Sequence, residues 1–76
     1  MIIKILGSGC PNCKKLEANT EKALANLGLV AKIEKVTDFA EIMAYGVLGL
    51  PAIVIDEELK SFGRVLKTEE IEKIIK

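Results

Sequence analysis

The chain has 76 residues, of which 50% are hydrophobic, and its 11 basic and 11 acidic side chains give a formal net charge of zero. This length predicts a single domain over residues 1–76, and the hydrophobic content argues against disorder. The balanced charge and the aromatic content of 4% argue against the basic faces and stacking platforms with which proteins bind nucleic acids. We therefore expect one folded domain with no nucleic-acid partner.

The first half of the chain predicts a strand, a helix and a second strand. Ile2–Leu6 is a β-branched apolar run that leads into a glycine-rich turn, as a buried strand does. Over Pro11–Leu27 the apolar residues recur on one face with the period of a helix, and Gly28 can end that helix with a left-handed C-cap. Residues 29–36 then alternate apolar and charged side chains, which is the period of a strand.

The second half predicts a short helix, a β-hairpin and a last helix. Asp38 begins a capping box for the short helix, which ends at Gly46. Ala52–Ile55 is a compact buried strand, and residues 59–66, after a polar turn, form a weaker strand. Thr68 can cap the last helix, because two acidic side chains follow it in the first turn.

The element order β-α-β-α-β-β-α predicts a three-layer α/β/α fold around a four-stranded mixed sheet. Strands one and two are joined through a helix and should be parallel, whereas strands three and four should form an antiparallel hairpin. Phe39, Met43 and Tyr45, near the second helix, are expected to fill the core. The acidic residues 56–58 are expected to form a solvated turn.

The sequence Cys10-Pro11-Asn12-Cys13 lies between the first predicted strand and the first predicted helix. If the helix begins at Pro11, Cys10 occupies its N-terminus, where unpaired N–H groups and the positive end of the helix dipole stabilise a thiolate. Cys13 follows one turn later, close enough to form a disulfide with Cys10. The motif therefore predicts that Cys10 attacks a substrate disulfide and that Cys13 resolves the mixed disulfide.

Other uses of the two cysteines stay open at this point: buried structural thiols, a zinc site and a structural disulfide. A zinc site would need ligands from a second chain or from carboxylates, because the chain has no His and 2 Cys. A disulfide that closes so short a loop constrains little of the unfolded chain. The main alternative function is a metal- or protein-binding module that uses the two thiolates as ligands.

The chain shows neither a membrane span nor a signal peptide. Its longest apolar run, residues 47–55, is far shorter than the roughly 20 residues of a span. The apolar stretch at its start is too short for the apolar region of a secretory signal. We therefore expect no membrane partner and a cytoplasmic location. Thiols are kept reduced there, so a close cysteine pair is more often catalytic or metal-binding than structural.

A strand, a Cys-x-x-Cys at a helix start and the later Gly49-Leu50-Pro51 before a buried strand resemble the thioredoxin/glutaredoxin superfamily. Within it, the chain is similar over nearly its whole length to the very small thioredoxin-like proteins called redox-active disulfide protein 2. The resemblance implies that Pro51 is cis and lies against the two cysteines, and that Leu50 offers backbone hydrogen bonds to an extended substrate. From the residues alone, a trans strand-opening proline is an equal alternative.

The resemblance also implies the activity. It implies a protein disulfide oxidoreductase that needs no metal or other cofactor beyond a redox-active Cys10–Cys13 disulfide. Such a protein acts on protein disulfides, takes electrons from a disulfide reductase and is expected to be a monomer. Gly63 resembles the family's glycine beside the substrate groove, although a β-bulge would also explain it. The implied groove is formed by Pro11, Asn12, Leu50, Pro51 and Gly63.

The chain departs from larger members of this superfamily at informative positions. Thioredoxins carry Trp before the first Cys, where this chain has Gly9, and a buried Asp in the first strand, where this chain has Lys4. That Asp is implicated in proton transfer to the second Cys, so this chain must manage without it. The glutathione signature of glutaredoxins is missing after the fourth strand, which makes a protein reductase the expected electron source.

Overall fold

The computed structural model describes residues 1–7, 11–47 and 49–75. Its elements follow the predicted order. They are β1 (Ile2–Leu6), α1 (Pro11–Leu27), β2 (Lys32–Val36), α2 (Phe39–Ala44), β3 (Ala52–Ile55), β4 (Glu58–Phe62) and α3 (Thr68–Ile75). Within the described ranges, none of the helices is both long enough and apolar enough to cross a lipid bilayer.

The strands form one sheet in the order β2-β1-β3-β4. β1 is parallel to β2 and antiparallel to β3, and β3 is antiparallel to β4. The parallel pair is joined through α1, as parallel pairing requires a long crossover. The hairpin is closed by Asp56 and Glu57, whose φ angles of 50° and 67° give the turn the twist that a two-residue hairpin favours. The predicted parallel pair and antiparallel hairpin are both confirmed.

Both faces of the two central strands are covered, and this produces the three predicted layers. One face packs against α1 and α3, and the other packs against α2. The buried cluster on the first face contains Ile3, Ile5, Leu16, Ala23, Leu24, Ile53, Ile55, Leu66 and Ile71. The cluster on the second face contains Leu6, Val36, Ile42, Val47, Ala52 and Val54. A strand covered on both faces is apolar at successive positions, and all of Ala52–Ile55 is buried.

The edge strands β2 and β4 carry charged side chains. On β2, Lys32 Nζ lies 3.2 Å from Glu34 Oε2. On β4, Lys60 Nζ lies 3.3 Å from Glu58 Oε2. These ion pairs are partly solvated and so add little to stability, but they keep both edges of the sheet polar.

The predicted end of α1 is confirmed. Gly28 has a φ of 67°, and its N–H donates to the Ala25 carbonyl oxygen at 3.2 Å while the Leu29 N–H donates to that of Leu24 at 3.0 Å. These two bonds define a Schellman cap. Because Leu29 belongs to this cap and Val30 is 96% exposed, β2 begins at Lys32, and the prediction of a strand from residue 29 was wrong.

The end of β4 also differs from the prediction, because the strand stops at Phe62 and does not resume beyond Gly63 to reach residue 66. Gly63 follows it with a φ of 75°, a conformation that turns the chain out of the strand. The register irregularity of this hairpin lies between Ile53 and Val54. Gly63 therefore acts as a turn residue, not as the bulge that the sequence left open.

Thr68 is the first residue of α3, and the N-cap is Lys67. The Lys67 carbonyl oxygen accepts the N–H of Ile71 at 3.0 Å, the first hydrogen bond of the helix. In return, Glu70 Oε1 accepts the N–H of Lys67 at 3.1 Å, which is one half of a capping box. This backbone hydrogen bond, aided by the nearby Arg64 guanidinium, lowers the pKa of the Glu70 carboxyl.

The expectations for the aromatic and Met residues near α2 were only partly right. Tyr45 packs against the α2-side cluster, but Phe39 is 65% exposed and Met43 is 55% exposed. A helix of six residues has room for little inward-facing surface, and Ile42 is the residue that it buries.

Two valines provide a matched test of this packing. Val54 is 0% exposed and Val30 is 96% exposed. Val54→Ala should lower the free energy of unfolding by roughly 2–3 kcal/mol, because it removes two buried methyl groups and leaves a cavity. Val30→Ala should change it by less than about 0.5 kcal/mol. Urea unfolding measures both, and equal effects would contradict the described core.

Candidate redox site

The amino end of α1 begins just beyond the carboxyl end of β1, where the sequence predicted the redox pair. Cys13 is in the first turn of α1, is 6% exposed and is disulfide-bonded. Pro11 and Asn12 precede it and are exposed. Cys10, the other of the chain's 2 cysteines, and Gly9 lie outside the described residues.

The start of α1 is electropositive. Its first turn contains no acidic side chain, and Lys14 and Lys15 are exposed there. Pro11 at the first helical position removes one N–H that would have had no partner in the helix. The remaining N–H groups and the positive end of the dipole favour an anion at this end of the helix.

Gly7 brings the end of β1 against Cys13. The N–H of Gly7 donates to the Val36 carbonyl oxygen at 3.0 Å, which extends the β1–β2 pairing beyond the strand. A Cβ atom on Gly7 would collide with Cys13 Sγ and would lie 3.3 Å from Cys13 Cβ. From the sequence, Gly7 was predicted only to be part of a turn. A glycine between a buried strand and the Cys-x-x-Cys motif is the signal that could have indicated this contact.

The second predicted part of the site is the segment before β3. The Leu50–Pro51 peptide bond is cis, as the family resemblance implied. Leu50 is 43% exposed and Pro51 is buried. Gly63 lies next to this segment, because its N–H donates to the Pro51 carbonyl oxygen at 3.0 Å. Gly49 also takes part, since a Cβ atom there would lie 3.2 Å from Gly63 Cα.

The register of the sheet brings these two parts to the same edge. Leu6 at the end of β1 pairs with Ala52 at the start of β3. Gly7 follows Leu6 and leads toward α1, whereas Pro51 precedes Ala52. The start of α1 and the cis-proline segment therefore lie at the same end of the two central strands.

Lys4 lies on the opposite face of the sheet from Cys13. Its Nζ donates to Tyr45 Oη at 2.8 Å and to Glu57 Oε1 at 2.6 Å, on the side covered by α2. Strand alternation explains this placement. Ile5 and Gly7 lie on the α1 side of the sheet, so Lys4, which precedes Ile5, lies on the α2 side. Lys4, which stands where larger thioredoxins have a buried Asp, therefore contacts Tyr45 and Glu57 on the α2 side of the sheet.

Lys4, Tyr45 and Glu57 form a closed polar group. Tyr45 Oη donates to Glu57 Oε2 at 3.3 Å. The hydrogen bond from the Lys4 ammonium lowers the pKa of the Glu57 carboxyl, and Glu57 and Tyr45 in turn raise the pKa of Lys4. The acidic turn is exposed as predicted, but Glu57 anchors Lys4, and Asp56 Oδ1 accepts the N–H of Ile2 at 2.9 Å.

Among residues 1–7, 11–47 and 49–75, no group of three or more His, Cys, Asp or Glu side chains is arranged to hold a metal ion. The features that are brought together are a cysteine in the first turn of a helix after β1, a cis proline before β3 and the order of the mixed sheet. Together they define a thioredoxin-like protein.

The comparisons with known proteins agree with this class. The model of the thioredoxin domain family matches residues 1–76, and the chain belongs to this family. A protein named thioredoxin from Methanothermobacter thermautotrophicus is 44% identical over 75 residues, which cover 99% of this chain and 97% of the relative. Another protein named thioredoxin, from Methanocaldococcus jannaschii, is 37% identical over 76 residues, which cover 100% of this chain and 87% of the relative.

The contact between Gly7 and Cys13 predicts a stability effect that depends on redox state. Gly7→Ala should lower the free energy of unfolding by about 1–3 kcal/mol, the range for overpacking, and by more in the oxidised protein than in the reduced one. A thiol can rotate away from the added methyl group, whereas a sulfur held in a disulfide cannot. Urea unfolding with and without reductant measures the difference.

Gly28→Ala is the control for this prediction. It places a side chain at a φ of 67° but meets no atom within 4 Å. It should therefore cost roughly 1–2 kcal/mol for the left-handed backbone, equally in both redox states. An equal effect of Gly7→Ala in the two states would contradict the proposed clash with Cys13 Sγ.

The Lys4–Glu57 pair predicts a pH dependence. Because the pKa of Glu57 is lowered in the folded protein, its contribution to stability is complete above the ordinary Glu value of about 4.3 and is lost as the pH falls through the lowered folded-state value. In urea unfolding from neutral to acid pH, the stability difference between wild type and Glu57→Gln should shrink below about pH 4. For Glu21→Gln, an exposed change on α1, the free energy of unfolding should depend on pH as it does in wild type. The same pH dependence in Glu57→Gln as in wild type would contradict a stabilising Lys4–Glu57 pair.

Proposed function

We propose that the protein is a thiol–disulfide oxidoreductase that reduces protein disulfides through Cys10 and Cys13. The observation that carries the proposal is the disulfide-bonded Cys13 in the first turn of α1, in a chain of the thioredoxin domain family. Relatives named thioredoxin over nearly the whole chain support a redox function of this general kind.

In the proposed reaction, the Cys10 thiolate attacks one sulfur of a substrate disulfide. A Cys10–substrate disulfide forms, and the other substrate sulfur leaves as a thiolate and takes up a proton. Cys13 then loses its proton and attacks the Cys10 sulfur, so that a Cys10–Cys13 disulfide forms and the second substrate sulfur is released. A disulfide reductase returns two electrons and two protons to the pair.

The segment before β3 is the proposed substrate groove. Leu50 is partly exposed beside the buried Pro51, and the Gly49 and Gly63 backbones approach each other without side chains between them. Backbone groups without side chains can pair with an extended peptide, as an added strand does. Pro11 and Asn12 are exposed at the start of α1 and would form the other side of the groove.

The position of Cys13 supports its role as the resolving thiol. A buried sulfur is shielded from external disulfides and is reached most readily by a disulfide formed on its neighbour in the motif. We propose that the protein acts as a monomer, with no cofactor beyond the cysteine pair, in a compartment whose thiols are kept reduced.

The midpoint potential of the Cys10/Cys13 couple tests the proposal. The metal-free protein is equilibrated in thiol buffers, and its free thiols are trapped by alkylation. We expect a reversible two-electron transition between about −200 and −300 mV, the range of reducing proteins of this kind, accompanied by reduction of a protein disulfide.

Two serine variants assign the roles. Cys10→Ser should abolish both the transition and the activity, whereas Cys13→Ser should accumulate a mixed disulfide with the substrate. If no intramolecular disulfide forms, or if the thiols react with alkylating agent only after a chelator is added, the proposal fails. The latter result would favour use of the two thiolates as metal ligands.

A further inference from the structure

A small pocket of about 50 Å³ lies beside Cys13, between α1 and the sheet. Ile5 of β1 and Gly7, just after that strand, line it from the sheet, and Cys13 and Glu17 line it from α1. Cys13 and Glu17 are four residues apart on one helix, so their side chains project from the same face. The pocket thus brings a carboxylate and the proposed resolving cysteine to one space.

Lys35 holds this carboxylate in place. Lys35 and Ile5 are register partners on the parallel strands β2 and β1, so both side chains lie on the α1 face. Lys35 Nζ lies 3.1 Å from Glu17 Oε1, and the Glu17 side chain is 21% exposed. The ion pair therefore joins α1 to β2 at the pocket that both side chains line.

Charged side chains from α1 and β2 line the pocket beside Cys13. Among the described residues that line the pocket, the charged side chains are Lys14 and Glu17 from α1 and Lys35 from β2, and β1 contributes none. Ammonium groups are donors without a lone pair, so the two lysines in their charged form accept no proton. Glu17 is the carboxylate among them, and a carboxylate is acceptor-only when ionised.

We propose that Glu17 is the general base that takes the proton from Cys13 in the resolving step, and that Lys35 is its positioning residue. This inference rests on the proposed oxidoreductase function and names a further participant in it. The volume of the pocket exceeds the roughly 10–15 Å³ that one water molecule needs, so the proton passes either directly or through one water.

In the resolving step, the Cys13 S–H bond breaks, and its proton moves to the Glu17 carboxylate. The Cys13 thiolate attacks Cys10 Sγ, forming the Cys10–Cys13 bond as the Cys10–substrate bond breaks. The substrate sulfur leaves with the electron pair as a thiolate and receives a proton, which returns Glu17 to its carboxylate form. No oxidant or reductant is needed beyond the substrate disulfide itself.

A chromogenic aromatic disulfide separates this step from the first attack. One equivalent is mixed with reduced protein in a stopped-flow instrument, and release of the coloured thiolate is followed. The first phase reports attack by Cys10, and the second reports resolution by Cys13. Glu17→Gln should slow the second phase by roughly 10²-fold, the lower end of general-base effects, without changing the first.

The pH profile distinguishes a base from a structural role. Without the carboxylate, the second phase depends on Cys13 that is already ionised. Its rate in Glu17→Gln should then rise about tenfold per pH unit below the ordinary thiol pKa of about 8.5, whereas the wild-type profile should be shallower. Glu17→Asp keeps a base on a shorter side chain and should be faster than Glu17→Gln.

Glu21→Gln is the matched control, because it removes the same charge one turn further along α1 at an exposed position. It should leave both phases unchanged, and urea unfolding confirms that each variant is folded. An unchanged second phase in Glu17→Gln, or equal slowing in Glu21→Gln or in Glu17→Asp, would overturn the role of Glu17 while both cysteines still complete the reaction. A wild-type protein without a second phase would overturn the oxidoreductase function as well.

Discussion

Cys13 packs directly against the backbone of Gly7, and the position of α1 on the sheet depends on this contact. Any side chain at Gly7 would occupy the space of Cys13 Sγ. With Cys13 seated there, the buried face of α1 continues through Leu16 and Thr20. The glycine thus sets the distance between helix and sheet at the end of the helix where the proposed chemistry takes place.

The element order and the core could be predicted because they depend on local patterns. Continuous apolar runs indicated the covered strands β1 and β3, and Gly28 correctly indicated the end of α1. The start of β2 was missed because the apolar residues Leu29 and Val30 look like strand, although Leu29 completes the helix cap and Val30 is solvated. Such competition between a cap and a strand is settled by hydrogen bonds that the alternation of residues does not reveal.

The site could be predicted where its residues carry a motif. Pro51 was placed by family resemblance, and its cis bond is confirmed. Gly7 was missed because a residue without a side chain has no pattern of its own. The Glu17–Lys35 contact could not be predicted either, because it joins a helix to a strand that is distant in sequence, and only the parallel register aligns them.

The central strand β1 separates two chemically different environments. On its α1 face, Ile5 and the adjoining Gly7 line the pocket beside Cys13, so this strand and the residue that follows it add no charge next to the sulfur. On its α2 face, Lys4 is held by Tyr45 and Glu57. Because these three polar groups satisfy one another on the far face, the charge of Lys4 is neutralised locally and is kept on the other side of the sheet from the sulfur chemistry.

The polar edge strands have a consequence for how the molecule behaves among its own copies. A four-stranded open sheet leaves unpaired backbone groups on β2 and β4, which would pair readily with another strand if they were flat and apolar. The charged side chains on both edges, Lys32 and Lys60 among them, make such pairing less favourable. The chain for which we propose an extended peptide partner near Pro51 thus carries edge strands whose charges disfavour extension of the sheet into a fibril.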